Sequence, residues 1–124
     1  MAALATLSGP PAAVLHRDLH DKQIFLTPDQ QVGLIDLDTL VPGDPALDVA
    51  NLLAHMRLRA MQDGLAASAA EPARGALLDG YGVSTVRQRA RLAAYERATE
   101  LRLACVYAFR PRWDGLASRL VDGG

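Results

Sequence analysis

Three stretches decide how this chain is read: Val14-Leu15-His16-Arg17-Asp18-Leu19-His20-Asp21-Lys22-Gln23-Ile24-Phe25-Leu26, then Val32-Gly33-Leu34-Ile35-Asp36-Leu37-Asp38, then Gly43-Asp44-Pro45-Ala46-Leu47-Asp48-Val49-Ala50-Asn51. Residues 16 to 23 are too polar for a core element and read as a loop. Ile24–Leu26 and Val32–Ile35 are short apolar runs on either side of Thr27-Pro28-Asp29-Gln30-Gln31, the chemistry of a small β-hairpin. Asp36 and Asp38 end the second run, and strand alternation would point both the same way. Two carboxylates on one face repel unless a cation lies between them or one is protonated. Paired Asp at a strand end therefore suggests oxygen ligands for a divalent metal, and an Asp in the preceding loop could act as a base beside it.

Outward from this segment the chain turns helical. Asp44 reads as an N-cap with Pro45 at the first helical position, and Val49, Leu52, Leu53, Met56 and Ala60 follow helical spacing up to Gly64. Pro72 starts or interrupts a second helical piece, which Gly80-Tyr81-Gly82 closes. Ser84 or Thr85 caps a long helix reaching toward Arg110, with Ala94, Ala98, Leu101, Cys105 and Ala108 expected on its buried face and Arg87, Arg89 and Arg91 in its solvated first turns. Pro111 stops it, and Trp113 to Val121 reads as a last short helix. On the N-terminal side, Ala12–Val14–Leu15 reads as a brief strand, separated by Gly9, Pro10 and Pro11 from an apolar stretch, Met1 to Leu7. The expected fold class is α+β and mostly helical, one domain over residues 1–124.

Composition narrows the partners. A net charge of -1 gives no electrostatic reason to expect nucleic acid or an anionic membrane. The apolar start is too short to span a bilayer and lacks the basic flank of a signal peptide. Cys105 is the single cysteine, so no internal disulfide forms and a reducing cytoplasm is the default location.

His16-Arg17-Asp18-Leu19, with Gln23 five positions after Asp18, resembles the kinase catalytic loop. The nearer resemblance is to the small-molecule kinases of the aminoglycoside phosphotransferase and choline kinase group. Their loop reads His-Gly-Asp-Leu-His, then Asn, then an apolar strand; Ile-Asp-x-Asp/Glu, Gly-Asp-Pro and a helix Asp follow. Here the counterparts are Ile35-Asp36-Leu37-Asp38, Gly43-Asp44-Pro45 and Asp48. The resemblance implies a kinase-like C-terminal lobe from an enzyme that moves a phosphoryl group from ATP to a small-molecule hydroxyl, with Mg2+ as cofactor. It implies Asp18 as the catalytic carboxylate, Asp36 as metal ligand, and Gln23 where relatives carry the Asn ligand. His16 and Asp48 take supporting roles, Asp38 a metal or structural one, and His20 is a candidate substrate contact. Alanine richness and the preference for Arg over Lys suggest a GC-rich bacterial genome.

Three departures qualify that expectation. Gln23 is one methylene longer than Asn. Arg17 stands where the small-molecule branch commonly has Gly. No Gly-rich loop precedes His16, and the only lysine, Lys22, lies inside the loop, so the N-terminal ATP-gripping lobe is expected to be absent. The partner would then be that missing lobe or a second copy of the chain. A non-catalytic kinase-like binding module is the alternative. Two further rivals are a phosphatase of the haloacid dehalogenase type, built on Asp36-Leu37-Asp38, and a metal-dependent hydrolase using His16, Asp18, His20 and Asp36.

Overall fold

In the computed structural model, which describes residues 13–122, two short antiparallel ladders frame the polar loop. Strand β1 (Ala13–Leu15) leads into it and pairs with β4 (Val41–Gly43), in the register Ala13 to Gly43 and Leu15 to Val41. Strand β2 (Ile24–Leu26) leaves the loop and pairs with β3 (Val32–Leu34), Ile24 facing Leu34 and Leu26 facing Val32. The hairpin turn is closed by Thr27, whose hydroxyl accepts the Gln31 N–H at 2.9 Å. Ala12 and the stretch Met1 to Pro11 lie outside the described residues.

Gly43 is fixed by close approach. A Cβ there would lie 2.6 Å from Cδ1 of Leu15, which is itself buried, so a side chain at this position would force Leu15 to move.

Four helices follow: α1 (Ala46–Gln62), α2 (Glu71–Tyr81), α3 (Val86–Tyr107) and α4 (Leu116–Asp122). The Asp44 carboxylate accepts the Ala46 N–H at 3.0 Å and so caps α1 as the sequence suggests. Pro72 lies in the first turn of α2, and Gly82, at φ 87, ends it in the left-handed conformation. Thr85 caps α3 in a reciprocal capping box with Gln88. Helix α3 ends at Tyr107, before Pro111, and the expected last helix begins at Leu116 rather than Trp113.

The core has two parts. Ala54, Leu58 and Met61 of α1 pack with Leu103 and Ala104 of α3 and with Leu116 and Leu120 of α4. Nearer the ladders, Val49, Ala50 and Leu53 pack with Leu92. Helix α1 is buried on most of its circumference and therefore serves as the central rod, with Met56 of the expected stripe only half-buried.

The buried face of α3 differs from the Ala-rich one expected. It carries Arg91, Leu92, Glu96, Thr99, Glu100, Leu103 and Ala104, while Leu101, Cys105 and Ala108 are exposed. Arg91 is not a solvated residue but a buried one, 3.2 Å from Asp44. The reason is charge pairing across the helices. Arg57 donates to Glu100 at 2.5 Å, and Arg74 pairs with Glu96, so charged side chains occupy positions that an apolar pattern would assign to solvent.

This seam gives a test. Removing one partner of a buried pair leaves the other charge uncompensated, so Arg57→Met alone should cost about 2–4 kcal/mol in urea unfolding. The double variant Arg57→Met/Glu100→Leu should recover most of that loss. A single variant as stable as the parent would show that the pair contributes no such penalty.

Candidate active site

The loop between β1 and β2 lies along α1 and is held by one stripe of that helix. The Asp48 carboxylate accepts the N–H of His16 at 2.7 Å and of Arg17 at 2.9 Å. One turn on, Asn51 donates its amide N–H to the carbonyl of Leu19 at 2.7 Å. The His55 ring lies against that of His20, with centroids 4.9 Å apart, and Arg59 donates to Asp21 at 2.9 Å. Positions 48, 51, 55 and 59 fall on one helical face and span about 16 Å of helix rise. Five loop residues cover a similar distance when extended.

His16 ties the loop to the metal-candidate segment. It is buried, its Nε2 lies 2.7 Å from the Ile35 carbonyl, and its Nδ1 accepts the Asp18 N–H at 3.3 Å. A carbonyl needs a donor and an N–H needs an acceptor, so both contacts are satisfied together by the tautomer that carries its hydrogen on Nε2. Thr39 adds a second tie, donating its hydroxyl to the His16 carbonyl at 2.8 Å.

Hairpin register then brings Gln23 to Asp36. With Ile24 facing Leu34, the next pair outward is Gln23 and Ile35, joined by the Ile35 N–H donating to the Gln23 carbonyl at 3.0 Å. The Gln23 side-chain amide reaches Asp36 Oδ2 at 3.0 Å. Asp36 has left the strand, with φ 60 and ψ 60, and Asp38 lies in the following single turn, Leu37–Thr39. The two carboxylates are therefore not alternate residues of one strand, as the sequence pattern suggested. The left-handed Asp36 breaks the alternation, and the side chain hydrogen-bonded to Asp36 is Gln23, which the resemblance had already paired with it.

Gln23 and Asp36 fit a magnesium ion. As placed, the Gln23 amide N–H donates to Asp36 Oδ2, and the pair carries an amide oxygen and a carboxylate, the hard oxygen donors that suit Mg2+. Magnesium takes one or two protein side chains and completes its shell with water and phosphate, so a two-residue set suffices. The four-residue hydrolase site expected as a rival does not form: among the described residues no three His, Cys, Asp or Glu side chains are placed to hold a metal ion, and both nitrogens of His16 are engaged within the protein. The phosphatase rival also lacks its setting, since the described strands form only two-stranded antiparallel ladders and Asp36 is not at a parallel strand's end.

Asp18 is the open carboxylate of the site, its side chain 53% exposed, with His20 Nε2 at 3.6 Å. His20 has mostly internal neighbours. Its Nδ1 accepts the Lys22 N–H at 3.3 Å, capping the turn Asp21–Gln23, and its ring packs on His55.

Arg17 adopts φ 76, a conformation that favours glycine. This explains physically why Gly suits the equivalent position in the resembling kinases. Here the two N–H bonds to Asp48 hold the strained turn. Arg17→Gly should raise stability by up to about 1 kcal/mol in thermal or urea unfolding, because it relieves left-handed strain; a destabilised variant would show that the arginine side chain contributes more than the strain costs.

Sequence reasoning did not single out Asn51, His55, Arg59 or Arg102 as site residues. The signal was the spacing of polar Asp48, Asn51, His55 and Arg59, which places them on one face of the helix.

This fold and this loop define a kinase-like phosphotransferase lobe. The model of the phosphotransferase enzyme family matches residues 1–105, and the chain belongs to that family. No curated protein matches the chain. No described helix is long and apolar enough to cross a membrane.

Both ring nitrogens of His55 are buried without a hydrogen-bond partner. Burial first, then the charges of His20 and Arg102, lower its pKa to about 4. The unfolded chain therefore takes up a proton near pH 6.5 that the folded chain refuses until about pH 4. Stability falls as pH drops through that window. The full shift would correspond to ~3 kcal/mol; screening of the partly exposed ring reduces the expected loss to about 1–2 kcal/mol. His55→Phe should flatten this part of the pH–stability curve, and an unchanged slope in that variant would assign the dependence elsewhere.

Proposed function

We propose that the chain supplies the catalytic loop and metal-holding residues of an ATP-dependent phosphotransferase acting on a hydroxyl of a small molecule. The observation that carries this reading is the pairing of Gln23 with Asp36 at 3.0 Å, tied through His16 to the loop that presents Asp18.

Phosphoryl transfer needs little covalent help from a protein; it needs in-line positioning and cations at the phosphate oxygens. Asp18 faces solvent from a backbone pinned on both sides, so its carboxylate can hold the acceptor hydroxyl in line and take its proton. Asp36 and the Gln23 amide oxygen would hold Mg2+, which when bound offsets negative charge on the nucleotide phosphates. His16 and Thr39 keep the two segments in register, and Asp48 holds the strained turn. Asp38 is exposed in the turn beside Asp36 and remains an outer contributor.

The only lysine, Lys22, lies in the loop itself, so the grip on the nucleotide phosphates is assigned to protein outside residues 13–122. The hairpin supports a partner surface for that donor-binding lobe. Phe25, Leu26, Val32, Leu34 and Ile35, on the hairpin that leads into Asp36, are all exposed, with Leu26 at 76%. Use of ATP and the single cysteine favour the cytoplasm.

The chain alone should transfer no phosphoryl group above background from ATP to a panel of hydroxyl acceptors. Together with a donor-binding lobe, Asp18→Asn should lower kcat by roughly 10²–10⁴-fold. Nucleotide binding should barely change, whereas Asp36→Asn should abolish the metal response, read as Mn2+ broadening of the Gln23 and Asp36 resonances. A kcat within a few-fold of the parent for Asp18→Asn, with Asp36→Asn inactive, would remove Asp18 from the chemistry.

A further inference from the structure

We propose that Asn51, locked by Arg102, is the positioning residue that fixes the loop on the C-terminal side of Asp18. The proposal rests on the phosphotransferase reading for the meaning of Asp18, but its contacts do not.

Asn51 lies in the second turn of α1 and is 5% exposed. Its Nδ2 donates to the Leu19 carbonyl at 2.7 Å, and its Oδ1 accepts from Arg102 Nη2 at 2.9 Å. A guanidinium only donates and a carbonyl only accepts, so a single orientation of the amide satisfies both neighbours. Turned over, it would face donor to donor and acceptor to acceptor. Arg102, from α3, thereby sets the direction in which Asn51 points its N–H. No other residue of this size combines a donor and an acceptor in that arrangement: Asp lacks the donor, Leu lacks both, and Ser is too short.

The consequence falls on Asp18. Before it, the Arg17 N–H is held by Asp48, and the Asp18 N–H is held by His16. After it, the Leu19–His20 peptide plane is held by Asn51. The Asp18 side chain itself is half exposed, with His20 Nε2 3.6 Å away, so the direction of its carboxylate is inherited from its backbone. A misplacement of about 1 Å in a reacting group can cost on the order of 10²-fold in rate. Holding the backbone on both sides is how this loop keeps an exposed carboxylate in place.

The test uses the isotopically labelled 124-residue chain and NMR. The native chain should show a through-hydrogen-bond coupling between Asn51 Nδ2 and the Leu19 carbonyl carbon. Asn51→Asp keeps the shape and the Arg102 contact but sets an oxygen against that carbonyl, and Asn51→Leu keeps the volume alone. Both should lose the coupling and show microsecond–millisecond broadening from Arg17 to His20, including the Asp18 carboxyl carbon, while the α1 and α3 amides keep their positions. Arg102→Met should weaken the coupling by freeing the amide to turn, and it serves if the Asn51 variants fail to fold. Absence of the coupling in the native chain overturns the proposal. So does an Asn51→Leu spectrum with a sharp, unshifted loop, because packing and not the hydrogen bond would then hold it. Titrating Mn2+ into the same native sample separates the two readings: an intact coupling with no response at Gln23 and Asp36 sinks the metal role given to those two residues and leaves the positioning role standing.

Discussion

The Asp48 carboxylate, accepting two successive backbone N–H groups of His16 and Arg17, is the contact on which the rest of the site depends. A loop with a left-handed residue at Arg17 has backbone donors that no strand or helix can satisfy. One carboxylate in the first turn of α1 satisfies two of them and sets where the loop begins. Asn51, His55 and Arg59 then meet the residues that follow, each about one turn further along the same face. The helix is a rigid ruler for a segment with little regular structure of its own.

A ruler must itself be fixed, and the burial of α1 does this. Its apolar residues join both core clusters, and Leu58 has no exposed surface. Burial leaves few directions for polar side chains, so those of α1 either point at the loop or enter the seam with α3. Arg57 takes the second course with Glu100, whereas Asn51 takes both, bridging Leu19 to Arg102. Through that bridge the long helix bears on the loop, although the two are far apart in sequence.

The hairpin solves a different problem. Gln23 and Asp36 are thirteen residues apart. They meet because the ladder fixes which residue faces which, and because His16 holds the carbonyl just before Asp36. The extra methylene of Gln23 is accommodated in this arrangement, since its amide already reaches the carboxylate. Strain at Asp36 is the cost of turning the chain sharply enough to leave the strand with that carboxylate facing Gln23.

Much of this was legible in the sequence, and for physical reasons. Loop polarity, the hairpin turn and the Asp44 and Thr85 caps are local properties, and the family resemblance rests on short motifs in a fixed order from His16 to Asp48. They were enough to give the fold class and to mark Asp18, Gln23 and Asp36. What only the tertiary structure decided involves residues far apart. Strand alternation suggested Asp38 as the neighbour of Asp36, but a left-handed backbone breaks that alternation, and the cross-strand register brings Gln23 to Asp36. Apolar periodicity chose the wrong face of α3, because Glu96 and Glu100 are buried against arginines from other helices. Asn51 looks like one more polar residue on a helix until Leu19 and Arg102 are seen on either side of it. A local pattern records what a residue is, whereas burial and pairing depend on what the fold brings against it.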